Sequence, residues 1–141
     1  MKERMSDLDY LKIAVEESKK ALGSDNKFGA VVVLDGEIIA QDYNHTEENS
    51  DPSAHAEVSA LRKACKKIGS QNVDGATLYA SHEPCMMCLC CAAWANVERI
   101  VFGHRADELT EDMYEFSGAE FKDIASRLQR KINVEYVEIN D

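Results

Sequence analysis

Hydrophobic and polar positions follow two different periods along this chain, and the switches between them mark its elements. Leu8, Leu11, Ala14, Val15 and Leu22 recur at helical spacing. Ser6 or Asp7 can cap that first helix, and Gly23 stands where it should end. Two β-rich runs follow, Gly29–Leu34 and Glu37–Tyr43, on either side of Asp35-Gly36. Asp-Gly between such runs predicts a hairpin. The stretch Asn44–Ser53 is polar and reads as a loop, with Pro52 and Ser53 suited to start and cap a helix.

Beyond the loop the pattern becomes helical from about Ala54 to Ile68, closed by Gly69. Ala76–Ser81 reads as a short buried strand. Glu83-Pro84 opens a helix from Cys85 to about Ala95 that is apolar nearly all round. Such a helix needs cover on several faces, and a partner subunit is one source of it. Arg99–Gly103 is a further strand, followed by a helix at about 119–130 and a strand at Asn133–Ile139. The order αββαβαβαβ predicts an α/β fold: a mostly parallel sheet, helices on both faces, and an antiparallel hairpin at one side.

The chain has 141 residues, which is the size of one domain, so residues 1–141 are expected to form a single unit. Asp and Glu number 26 against 16 Lys and Arg, a formal charge of −10. That surface repels phosphate backbones and argues against a broad nucleic-acid footprint, while leaving room for a small polar substrate. No apolar run approaches the roughly 20 residues that span a bilayer. The N-terminal stretch has no apolar core of the secretory kind, so the expected compartment is the cytoplasm.

Five cysteines change the picture further. Cys85, Cys88, Cys90 and Cys91 lie within seven residues, and Cys65 stands apart. An odd, crowded set is a poor disulfide framework, and a reducing compartment fits a metal site better. His55-Ala56-Glu57 stands near one helix start and Pro84-Cys85-Met86-Met87-Cys88 at the next. Residues three apart share a helix face, so Cys85 and Cys88 can converge on one ion. Both helix N-termini favour thiolate over thiol. One His and two Cys leave the fourth position of a tetrahedral Zn²⁺ open, the mark of a catalytic site. Glu57, two residues from His55, is placed to handle protons beside that position rather than to bind the metal.

The pattern H-x-E followed by P-C-x-x-C resembles the signature of the zinc-dependent cytidine deaminase superfamily, the CMP/dCMP deaminase zinc-binding domain. The likeness runs from Phe28-Gly29-Ala30 through Asp51-Pro52-Ser53-Ala54-His55-Ala56-Glu57, Leu78-Tyr79 and Glu83–Cys88 to Val101-Phe102-Gly103. The form of these motifs is similar to the branch of guanine deaminases, fungal-type cytosine deaminases and tRNA adenosine deaminases. Ala60–Cys65 looks most like the bacterial guanine deaminases. The resemblance implies a three-layer α/β/α sandwich on a five-stranded mixed sheet, with a β-α-β zinc core. It implies one Zn²⁺ per chain on His55, Cys85 and Cys88, with Glu57 as the proton shuttle. It also implies substrate contacts from Asn44 and from the backbone N–H groups of Ala56 and Cys85, and a homodimer.

Two departures stand out: Lys27 where many relatives have Pro, and His82 where they carry Leu, Cys or Ser. His82 therefore either lines the pocket or faces outward at a strand end. The expected activity is hydrolytic deamination of a free base or small nucleoside, with water as nucleophile. A guanine-like purine is favoured, a cytosine-like base is possible in kind, and tRNA adenosine deamination is the alternative. A non-catalytic zinc-binding subunit is a third, and would need a blocked fourth position or a lost Glu; a structural zinc would need a fourth ligand from His82, Cys90, Cys91 or His104. Otherwise Cys65, Cys90 and Cys91 are expected as packing, and His45 and His104 at the surface. Trp94 is expected in the core or an interface. Tyr114 and Phe116, with the acidic residues Asp107, Glu108, Glu111, Asp112 and Glu115, fall in a segment that tends to shape the pocket.

Overall fold

The computed structural model describes residues 5–108 and 121–140. Its elements are α1 (Asp7–Ser18), β1 (Gly29–Leu34), β2 (Glu37–Tyr43), α2 (Ala56–Ile68), β3 (Thr77–His82), α3 (Met86–Trp94), β4 (Arg99–His104), α4 (Phe121–Ser126) and β5 (Asn133–Tyr136). Tyr114, Phe116, Glu111, Asp112 and Glu115 lie outside the described residues.

The sheet order is β2-β1-β3-β4-β5. β1 pairs antiparallel with β2 and with β3, whereas β3–β4 and β4–β5 are parallel. The last strand is thus parallel to its neighbour. Asp35 and Gly36 turn the hairpin with φ of 52° and 77°, the left-handed pair that a tight two-residue turn demands. A register shift between Val32 and Val33 puts one extra residue into β2.

Alternate residues of the strands divide between two cores. Ala30, Val32, Leu78, Ala80, Ile100 and Phe102 pack with α2, α3 and α4. Val31, Val33, Tyr79 and Val101 pack with Tyr10, Leu11 and Ala14 of α1. The period of two therefore builds a three-layer α/β/α sandwich, as expected. Ser6 caps α1 through a full capping box with Asp9.

Two helices differ from the periodic reading. α1 stops at Ser18, because the amides of Lys19, Lys20 and Ala21 bond carbonyls three residues back and tighten the chain out of α-helix. Leu22, beyond that point, is consequently exposed, and Leu8 in the first turn is exposed as well. α3 is not covered all round: Met87, Cys90 and Trp94 face outward, with Trp94 74% exposed. Apolar character at every helical position marked the helix as buried, yet one sheet and α2 can cover only part of its circumference.

Candidate metal centre

Each candidate ligand occupies a position where the backbone leaves helical geometry. His55 is the N-cap of α2 (φ −64°, ψ 157°) and Cys85 the N-cap of α3 (φ −75°, ψ 173°). Neither side chain caps its own helix, so both are free to turn toward a common point. The helix of expected start Ala54 begins at Ala56, with His55 rather than Ser53 as cap. Ala56 and Cys85 therefore sit where helix N–H groups have no intrahelical acceptor.

His55, Cys85 and Cys88 form, among the described residues, the one group of three metal-binding side chains with donor atoms within 4.8 Å of each other. The Cys85 and Cys88 sulfurs are 3.7 Å apart. His55 Nδ1 is 3.6 Å from Cys85 Sγ and 3.5 Å from Cys88 Sγ. A tetrahedral zinc with ordinary bond lengths needs about 3.8 Å between two sulfurs and about 3.6 Å between sulfur and nitrogen. The donor set fits zinc in both chemistry and spacing. His82, Cys90, Cys91 and His104 do not join the group.

The electrostatics already favour loss of a proton. The hydrogen bond with Cys88 and that with His55 outweigh burial and pull the Cys85 thiol down to about 4. The Cys88 thiol moves the other way, held up by its bond with Cys85, by burial and by the nearby Glu57 charge. His55 is raised by its contact with Cys85, against the opposing effect of burial.

Glu57 lies in the first turn of α2 and is only 4% exposed. Its Oε2 accepts a hydrogen bond from the Cys88 thiol at 3.2 Å. Burial pushes its carboxyl above the usual carboxylate range, which suits a group that must take up and give back a proton.

Asn44 is buried at the end of β2. Its Nδ2 donates to the Asn26 carbonyl at 3.2 Å, and its Oδ1 accepts from the Thr46 amide at 3.3 Å. His82 ends β3 beside Ser81, whose Oγ is 2.8 Å from His82 Nδ1. Its ring lies 4.5 Å from the Phe28 ring and 4.8 Å from the His104 ring, centroid to centroid. His104, the register partner of His82 on β4, is half-buried rather than on the surface. His45 is likewise mostly covered, with a side chain 14% exposed between Asp42 and Glu48. Sequence reading missed this His45 contact set and Asp25. The buried Asp25 carboxylate accepts hydrogen bonds from Thr46 Oγ1 and the amides of Glu47 and Glu48. The spacing of three residues from Asp42 to His45 and from His45 to Glu48 was visible, but a loop has no period to give it meaning.

The fold and the donor set define a zinc-binding α/β domain of the deaminase type. Residues 4–104 match the model of the cytidine and deoxycytidylate deaminase zinc-binding region, and the chain belongs to that family. The cofactor of this site is zinc. The chain is 44% identical over 89 residues to the guanine deaminase of Bacillus subtilis, covering 63% of this chain and 57% of that protein. It is 37% identical over 94 residues to the tRNA-specific adenosine deaminase of Aquifex aeolicus, covering 66% of this chain and 62% of that protein. The X-ray structure of the Bacillus subtilis guanine deaminase superposes with a TM-score of 0.73 at 32% identity, covering 97% of this chain and 87% of that one. The match thus spans about six tenths of the length of these curated relatives. Among the described residues no helix is long and apolar enough to cross a membrane.

Proposed function

We propose that this protein is a zinc-dependent hydrolytic deaminase of a free purine-like base, guanine-like in preference to cytosine-like. The observation that carries the reading is the buried Glu57 carboxyl set against a three-ligand His55, Cys85 and Cys88 cluster with no fourth protein donor among the described residues. When bound, zinc supplies Lewis acidity that brings the pKa of water near neutrality.

The chain's own residues do the rest. Glu57 takes a proton from water as oxygen bonds to the ring carbon bearing the amine, and passes that proton to the adjacent ring nitrogen. It then takes the remaining hydroxyl proton and hands it to the amine. The carbon–nitrogen bond breaks, a carbonyl remains on the ring, and ammonia leaves. Asn44 and the N–H groups of Ala56 and Cys85 orient the base. His82, whose ring meets those of Phe28 and His104 at the end of β3, is the further side chain assigned to stand beside the base.

The −10 charge and the local likeness to a guanine deaminase support the small-molecule substrate. tRNA adenosine deamination is the second reading, favoured by the likeness to the Aquifex enzyme. The compartment that suits both is the cytoplasm. A second copy of the chain is proposed to cover the outward face of α3. Met87, Cys90, Cys91 and Trp94 there form a stripe at i, i+3, i+4 and i+7, beside a groove of about 370 Å³ floored by Leu61 and Cys65.

The test is ammonia release from a panel of purine and pyrimidine bases and nucleosides, run beside a tRNA gel shift at low salt. Turnover of guanine without tRNA binding supports the first reading. No turnover of any panel member sinks it, and tRNA binding with inosine formation establishes the second.

A further inference from the structure

The loop between β2 and α2 connects two residues of the site, Asn44 at its start and His55 at its end. Its base is closed by the backbone: the His45 amide donates to the Ala54 carbonyl at 2.9 Å, immediately before His55. The Asp51 amide returns to Thr46, and the Asn49 amide to His45. The Thr46 amide in turn holds Asn44 Oδ1. The orientation of the Asn44 amide and the position of His55 therefore depend on how residues 45–48 are fastened.

Side chains fasten them from two directions. Asp25, from the preceding loop, takes Thr46, Glu47 and Glu48 as described above. The His45 ring is bonded at both nitrogens, Nε2 to Asp42 Oδ1 at 2.5 Å and Nδ1 to Glu48 Oε1 at 2.9 Å. Asp42 belongs to β2 and Glu48 to the loop, so the imidazole straps one onto the other. The Tyr43 ring packs on it at 4.0 Å between centroids. Lys63 of α2 reaches the other oxygen of Asp42 at 3.3 Å.

We propose that His45 is a positioning residue. Bonded at both ring nitrogens, it clasps the β2–α2 loop so that Asn44 meets the substrate in a fixed orientation. The substrate half of this inference rests on the proposed deaminase function. Only a ring carrying both protons can donate to both carboxylates. Burial works against the charged ring, and the bonds to Asp42 and Glu48 outweigh it, so its pKa is raised. The charged groups facing it are Asp42 on β2, Glu48 on its own loop, Asp25 on the preceding loop and Lys63 on α2. The clasp is complete below the raised pKa and loses one of its two bonds as pH climbs through it.

The test compares zinc-loaded wild type with His45→Phe, which keeps a ring and loses both donors, and with His45→Gln. NMR of the His45 ring nitrogens should show the doubly protonated form in the majority at pH 6.5, the ordinary histidine value. Amide exchange across residues 45–51 should quicken at least about tenfold in His45→Phe, the equivalent of one of the two charge-assisted hydrogen bonds that the variant loses. The KM for guanine should rise by about the same factor, with kcat changed far less and partial rescue in His45→Gln. In wild type the KM should climb with pH through the His45 titration, and in His45→Phe that dependence should vanish. A neutral ring at pH 6.5, or loop exchange unchanged in His45→Phe, overturns the clasp. Failure of the wild type to turn over guanine overturns the substrate assignment alone, because the ring and exchange measurements need no substrate.

Discussion

The Cys88 thiol donates to the Glu57 carboxylate at 3.2 Å, tying a member of the metal cluster to the carboxyl proposed to handle protons, and both residues are buried. The pair share one hydrogen, and that hydrogen must go when Cys88 binds a metal as thiolate. Zinc uptake should therefore release protons, chiefly from Cys88, whose thiol is held well up, and much less from Cys85. Pulse titration of the apo protein with zinc in weak buffer at pH 7 checks this. Removing the ion with a chelator should lower Tm, and Cys88→Ser should abolish that difference by weakening the site in the folded state.

Gly29 is placed against α1 so closely that a Cβ there would lie 2.1 Å from the Ala14 carbonyl oxygen and 2.6 Å from the Ser18 amide. Both are backbone atoms in a helix, so neither can step aside as a flexible side chain would. Gly29→Ala should destabilise the domain by at least the ~1–3 kcal/mol typical of an overfilled core. Urea unfolding of the variant reads this directly. An unchanged midpoint would mean that α1 sits further from β1.

Asp7 at the start of α1 meets Arg99 of β4 at 2.9 Å and accepts from the Tyr79 hydroxyl at 2.6 Å. The Arg99 hydrogen bond, against burial, holds the Asp7 carboxyl below its ordinary value. A carboxylate so depressed adds stability above the unfolded-state pKa, and that stability fades as pH falls through the folded value. Wild type should thus lose more stability than Asp7→Asn between pH 5 and pH 3. The difference should be about 1 kcal/mol or less, because the pair is one-third exposed.

Much of this molecule was legible before its structure. The hairpin ends, the Gly69 stop and the spacing of His55, Glu57, Cys85 and Cys88 all survive in the fold, because each rests on local geometry. What failed is equally physical. Leu22 continued a helical stripe that the backbone had already left at Ser18. Cys90 read as core because composition cannot say which side of a helix lacks a neighbour. The His45 clasp joins three residues of one sequence stretch, but a loop must be folded before their separation means contact.

Among the described residues Trp94 is the most exposed of the large apolar side chains, and it lies under the Arg130 guanidinium, 5.1 Å from its ring. If a second chain covers this face, Trp94→Glu places a charge at its centre and should leave a monomer. Light scattering across a protein dilution series distinguishes the two. A wild type that is already monomeric at high concentration would remove the dimer from the account.

In the proposed function one buried carboxylate, Glu57, moves protons for hydrolysis at a zinc centre built by His55, Cys85 and Cys88. The most direct measurement is paired: zinc per chain and ammonia release from guanine, in wild type and in Glu57→Gln. One zinc per chain is expected in both, with a fall in turnover of about 10²–10⁴-fold in the variant. Full turnover by a zinc-loaded Glu57→Gln protein would contradict it.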